Sequence, residues 1–180
     1  DGLLLWEAEG FEADDVIATA ARLAELNGMD VLIASADKDL LQLVSHARSV
    51  RVISTKTGKV MLEEDVKEKL GVYPSFVRDW LALVGDSSDN VAGVPGVGPK
   101  RAADMLNVHG TVEGVYAALA ASQDAFTPAI AKALAASMDA VQVARELVTL
   151  NTDAPIDFAE LNQERAVKPL TESDYMDNGE

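Results

Sequence analysis

Asp37 and Asp39 stand two residues apart in ASADKDLLQL, residues 34–43, directly after the apolar run VLIA, residues 31–34. Turn chemistry accounts for one aspartate after a strand, because its side chain caps its own backbone two residues on. Two more acidic groups lie elsewhere: Glu12, Asp14 and Asp15 in GFEADDVIAT, and Asp86 and Asp89 in GDSSDN. Glu12 and Asp15 are three residues apart, as are Asp86 and Asp89, a spacing that puts two side chains on one helix face. Taken singly, each group suits a helix N-terminus or an Asx turn. Taken together, crowded carboxylates repel one another and need cations. Oxygen ligands without Cys or His suit Mg²⁺ or Mn²⁺ rather than zinc. Carboxylates enough for two ions suggest the paired-metal arrangement of phosphoryl transfer, with ions about 4 Å apart. His46 and His109 adjoin none of these groups and read as ordinary helix or loop residues.

The elements that must carry these acids follow from periodicity. GLLLWEAEG reads as an apolar strand ending at Gly10. EADDVIATAARLAELNG places Val16, Ile17, Ala20, Leu23 and Ala24 at helical spacing, with Asn27-Gly28 as the stop. MDVLIASAD is strand then loop, and LLQLVS a short helix. SVRVISTKTGKVML reads as strand, Thr-Gly turn and strand. EEDVKEKLG is a polar helix closed by Gly71, and PSFVRDWLALVG an amphipathic helix with Pro74 near its start. Alternating strands and helices predict an α/β fold with a mostly parallel sheet covered on both faces. Sites in such sheets collect beyond the carboxyl ends of the strands, where Asp37 and Asp39 fall.

Past residue 85 the character changes. GDSSDNVAGVPGVGPKRAADML is rich in glycine and proline, and alanine-rich helical sequence follows to about residue 150. The reading is therefore an α/β metal-binding part over 1–85, a helical part over 86–153, and a loosely attached acidic tail over 154–180.

The 180 residues carry a net charge of −15 and no cysteine. Disulfides and thiolate metal sites are excluded. No apolar run approaches the roughly 20 residues that span a bilayer, so a soluble cytoplasmic protein is expected. Such a negative charge opposes nucleic-acid binding, which draws on basic surface. The exception is GVPGVGPKRAADML, where Gly93, Gly96, Val97 and Gly98 form a turn before a helix and Lys100 and Arg101 add positive charge. Glycines there bring backbone N–H groups close to an anion. A grip of this kind holds a phosphate backbone without reading bases. The same punctuation also suits a plain tight loop between packed helices.

GFEADDVIAT, ASADKDLLQLV and GDSSDNVAGVPGVGPKRAADML, in this order and spacing, closely resemble the 5′-nuclease family: the 5′→3′ exonuclease domain of bacterial DNA polymerase I and the flap endonucleases. PAIAKALAASMDAVQVARELVTLNTDAP is similar to the end of that domain, so the likeness runs from about Gly2 to Asp153. The resemblance implies a PIN-like nuclease core with a helix-three-turn-helix subdomain, cutting branched or 5′-ended duplex DNA in replication and repair. By position, Glu12, Asp14 and Asp15 look like ligands nearer a first ion, and Asp37, Asp39, Asp86 and Asp89 like those of a second. Gly93 to Arg101 would be the hairpin of the DNA-gripping motif, with a potassium ion on backbone carbonyls between Gly93 and Gly98. Implied partners are DNA with a 5′ end or flap, a polymerase, and further nuclease sequence; the implied location is the nucleoid. Family members carry a strand with an Asp ligand, a second Asp ligand and a helical arch before GFEADD, whereas residues 1–9 alone precede it here. The expectation is therefore a C-terminal portion of the domain, with its N-terminal part missing. Two other readings stay open: a duplex-binding module without catalysis, and a metal hydrolase of small phosphoesters, for which the hairpin would be superfluous.

Overall fold

A computed structural model describes residues 4–159 of the chain. Helix α1 (Ala13–Leu26) buries Val16, Ala18, Thr19, Ala21 and Ala24 on one face. It closes where the Asn27 side-chain amide donates to the Leu23 carbonyl at 2.8 Å. Strand β1 (Val31–Ala34) follows, and the chain then turns through a short 3-10 segment, Asp39–Leu43. Leu40 and Leu41 in that segment are fully buried, which anchors an otherwise acidic loop on the core.

Strand β2 (Val50–Ile53) pairs parallel with β1, from Val31 opposite Val50 to Ala34 opposite Ile53. Strand β3 (Val60–Met61) returns antiparallel through the Thr-Gly turn, with Val52 opposite Met61. The expected mostly parallel sheet is thus, among the described residues, a three-stranded mixed sheet. Coverage on both faces is also corrected: Val50 and Val52 are buried while Arg51 and Leu32 face solvent. GLLLWEAEG is not a strand over its described part, residues 4–10. Instead the Trp6 ring lies against Phe158, with centroids 6.3 Å apart.

Helix α2 (Glu63–Leu70) stops at Gly71, whose φ of 80° is a left-handed cap. A 3-10 turn at Pro74–Phe76 leads into α3 (Val77–Val84). Helices α4 (Pro99–His109), α5 (Val112–Ala121), α6 (Pro128–Ala136) and α7 (Met138–Leu147) complete the helical part. Helix α3 is the shared pillar, packing against both α4 and α7. Its Asp79 is buried, accepts the Val112 N–H at 3.0 Å and faces Arg145 Nε at 2.8 Å. That carboxylate ties α3 to the start of α5 and to α7. One apolar core runs continuously from β2 (Val52) through α3 (Leu81, Leu83) to α6 (Leu134) and α7 (Val141), so the sequence boundary near residue 85 does not divide it.

The start of the expected tail is anchored rather than loose. Ala154 is buried and its N–H donates to Thr19 Oγ1 at 3.0 Å, while Arg22 Nε donates to the Thr152 carbonyl at 2.9 Å. The tail reading for residues 160–180 lies outside the described residues. None of the described helices is long and apolar enough to cross a membrane.

After α3 the backbone doubles back on itself. A Cβ on Gly93 would sit 2.1 Å from the Val84 carbonyl oxygen, a distance no side chain tolerates. Gly93→Ala is therefore expected to destabilise the protein by about 3 kcal/mol, measured by denaturant unfolding. A loss below ~1 kcal/mol would contradict this close backbone packing.

Candidate functional site

The three acidic groups meet. Glu12, Asp14 and Asp15 at the start of α1, Asp37 and Asp39 beyond β1, and Asp89 after α3 line one cavity of about 540 Å³. Gly10, Val91 and the end of α7 with its following loop, Glu146 to Asn151, complete the lining. Asp86 lies beneath, 6% exposed, and offers a carboxylate oxygen within 4.8 Å of oxygens from Asp39 and Asp89. All seven acids singled out in the sequence are thus in one place, although four distant chain segments have to converge to build it.

Local hydrogen bonds fix each of them differently. Asp15 is occupied on both oxygens: Oδ2 accepts the Glu12 N–H at 3.2 Å and Oδ1 the Asn151 N–H at 2.8 Å. Asp15 therefore starts α1 and staples it to the loop after α7. Asp37 Oδ1 accepts the Asp39 N–H at 2.9 Å, the Asx turn that ordinary turn chemistry calls for. Asp86 Oδ1 accepts both the N–H and the hydroxyl of Ser88, at 3.0 and 2.5 Å, and its Oδ2 is ion-paired with Lys38. Asp39 differs from these. Its Oδ1 is shut away from solvent without a hydrogen-bond partner, and its carboxylate belongs to the tightest group of acids. Gln42 holds the surrounding turn, donating to the carbonyls of Asp39 and Val148 at 2.9 and 3.1 Å.

Electrostatics follow from this arrangement. Burial, then the Asp37 charge, push the Asp39 carboxyl up to about 6 from an ordinary 3.8, with Asp86 and Asp89 adding to the shift and Lys38 opposing it. Asp14 is raised as well, by burial and then by Asp37, Glu12, Asp15 and Asp89. Asp86 goes the other way, to about 2, because Lys38 and Ser88 donate to its ionised form. The cavity therefore favours positive charge at Asp39 and Asp14, while Asp86 already has some.

Lys38, Ser88, Gln42, Glu146 and Asn151 were not identified from sequence. Lys38 was visible between the two aspartates, but its partner lies 48 positions away. Ser88 was legible, since Asp-x-Ser is a local turn pattern. Glu146 and Asn151 carry no local signal and are found only by folding.

The hairpin from Gly93 to Arg101 follows the site. Gly93 is pressed against the Val84–Gly85 backbone, and Val97 is buried with its N–H donated to the Val94 carbonyl at 2.9 Å. Both shape the turn. Gly96 (φ 80°), Gly98 and Lys100 are exposed, and among the described residues the Gly96 and Gly98 N–H groups donate to no backbone acceptor. Arg101 turns its guanidinium back onto the Gly96 carbonyl.

The raised Asp39 carboxyl gives a pH test. The unfolded chain ionises Asp39 near 3.8 and the folded chain near 6, so between these values the fold holds the extra proton. The stability this proton confers is full below about 3.8 and is lost as pH rises through about 6. Without metal, the melting temperature is expected to fall between about pH 4 and 6, and Asp39→Asn to flatten that fall and raise the pH 7 value. An Asp39→Asn protein that melts lower at pH 7 would contradict the assigned repulsion.

The chain is similar to known proteins in both sequence and fold. Residues 2–71 match the family described as 5′-3′ exonuclease, N-terminal resolvase-like domain, and residues 72–171 match 5′-3′ exonuclease, C-terminal SAM fold. The expectation of a C-terminal portion alone is thereby corrected, since the chain holds sequence of both parts. The protein is 42% identical over 159 residues to the 5′-3′ exonuclease of Aquifex aeolicus, covering 88% of this chain and 52% of that one. It is 44% identical over 152 residues to DNA polymerase I of Rhizobium leguminosarum, covering 84% of this chain and 14% of the polymerase. The chain thus spans about half of the one and a seventh of the other. Among solved structures, the T5 D15 protein co-crystallised with metal ions superposes with a TM-score of 0.71 at 25% identity, over 82% of this chain and 53% of that one. A bacteriophage T5 flap endonuclease in a pseudo-enzyme-product complex with DNA and metal ions gives 0.70 at 26% identity, over 79% and 51%. On the matches to residues 2–71 and 72–171, the chain belongs to the 5′-3′ exonuclease family.

Proposed function

We propose that this chain carries the metal-holding and duplex-holding parts of a structure-specific 5′ nuclease that hydrolyses DNA phosphodiesters with Mg²⁺ or Mn²⁺. The observation that supports it best is the meeting of Asp39, Asp86 and Asp89 oxygens within 4.8 Å, with Asp39 Oδ1 buried and unpartnered. A buried acceptor without a donor is costly, and a cation is what such a carboxylate lacks. The donor set is all oxygen, which suits a hard ion. Asp39, Asp89 and Asp86 would hold one ion, and Asp14 and Glu12, at the start of α1, would serve a second. When bound, divalent ions supply Lewis acidity toward a phosphodiester.

The protein's own residues do the rest. Asp37 orients the Asp39 turn, and Asp15 with Asn151 holds the α1 wall in register with the loop after α7. The acids alone repel phosphate, so nucleic acid can approach only with cations in place. Gly96, Gly98 and Lys100 give the hairpin a sequence-blind grip on a phosphate backbone. A potassium ion there would have to share or displace the Arg101 contact at the Gly96 carbonyl. Duplex DNA with a 5′ end or flap is the proposed substrate, with a polymerase as associated partner, in the nucleoid.

The test is cleavage of a 5′-flapped duplex in Mg²⁺, alongside calorimetric metal uptake. Cleavage lost in EDTA, and slowed about 100-fold or more by Asp89→Asn or Asp14→Asn with the fold intact, is expected. Absence of both cleavage and metal uptake would end this reading. Uptake of metal and duplex binding without cleavage would favour the non-catalytic module. Lys100→Ala is expected to weaken duplex binding alike on unrelated sequences and to lower the salt slope by about 1. A loss confined to one sequence would contradict backbone contact.

A further inference from the structure

Lys38 is the one cation at the acidic site among the described residues with an ion pair there. It sits between two of the acids in sequence, and its ammonium is bound to Asp86 Oδ2. The two partners are unequally held. Asp86 is buried, bridged through its backbone to Val91 at 2.9 and 2.7 Å and pinned by Ser88. The Lys38 side chain is 35% exposed and anchored only by its tip. A lysine stem rotates freely, so separating the pair requires a new lysine rotamer and no backbone movement. Three carboxylates and one ammonium leave two negative charges at the cluster, and Asp39 Oδ1 beside it is unpartnered. The lysine therefore neutralises the buried half of the cluster and leaves the outer half unsatisfied.

We propose that Lys38 is a built-in counter-ion that holds the Asp86 position while no metal is bound, and that a divalent ion entering the Asp39, Asp86 and Asp89 cluster displaces it from Asp86. This rests on the metal-site reading above. Lys38 is then a positioning residue acting through Asp86. It keeps the carboxylate ionised and in place, lowers metal affinity by competing for the Asp86 carboxylate, and is released toward the cavity when the ion arrives.

Melting temperatures of the wild type and Lys38→Met, each in EDTA and in saturating Mn²⁺, separate the possibilities. In EDTA, Lys38→Met is expected to melt several degrees lower, because Asp86 is left buried without its cation. In Mn²⁺ that loss should shrink by more than half, and calorimetry should find Mn²⁺ bound about tenfold more tightly by the variant. Lys38→Arg keeps the charge and should stay near the wild type in both buffers, which guards against a Met variant that does not fold. An equal loss in EDTA and Mn²⁺, or weaker Mn²⁺ binding by Lys38→Met, would overturn the displacement and make Lys38 a permanent structural partner. A wild type indifferent to Mn²⁺ would overturn the metal site itself, a separate and recognisable failure.

Discussion

Like charges do not gather unaided. In this protein the gathering is forced by apolar anchors placed next to each acid: Leu40 and Leu41 after Asp39, Val16 after Asp15, and Leu83 and Val91 on either side of Asp86 and Asp89. Burial of those side chains supplies the free energy that carboxylate repulsion consumes, at roughly 2 kcal/mol per fully buried aliphatic side chain. The raised Asp39 and Asp14 carboxyls are the visible sign of this opposition. A fold arranged in this way holds its acids together against their mutual repulsion.

The constraint also explains why the walls of the site are braced from so far away in sequence. Asp15 is tied to Asn151, Gln42 to Val148 and Arg22 to Thr152, so the loop after α7 clamps both the α1 start and the Asp39 turn. Asp79 holds the last turn of α7 from the side of α3 through Arg145. Charges that repel need such a frame, because a looser one would let them separate into solvent. The hairpin follows the same logic at shorter range: Gly93 on Val84 fixes where the chain after Asp89 must go, and this sets Gly96, Gly98 and Lys100 beside the acids in sequence without sharing their charge.

Much of this was legible in the residues. The α1 period, the Gly71 stop, the Thr-Gly hairpin and the three acidic groups are local patterns, and local patterns survive in a single sequence. What failed was non-local. GLLLWEAEG has strand composition, yet over its described residues it pairs with no strand and rests its Trp6 on Phe158. VLIA looks buried on both sides, whereas Leu32 faces solvent, because hydrophobicity does not say which face a sheet covers. Lys38 was adjacent to the acids and its role still depended on residue 86, which no short window contains. The acidic cluster was inferred because repulsion requires an explanation whatever the fold; its internal division of labour needed coordinates.

Everything proposed for the molecule depends on these carboxylates being a cation site and not an accident of acidic loops. Crystals of the protein soaked in MnCl₂ and measured at the manganese edge test this most directly. The expected result is an anomalous peak among the carboxylates of Asp39, Asp86 and Asp89, with the Lys38 ammonium moved off Asp86. Manganese absent from this cluster, or found only on scattered surface acids, would contradict it.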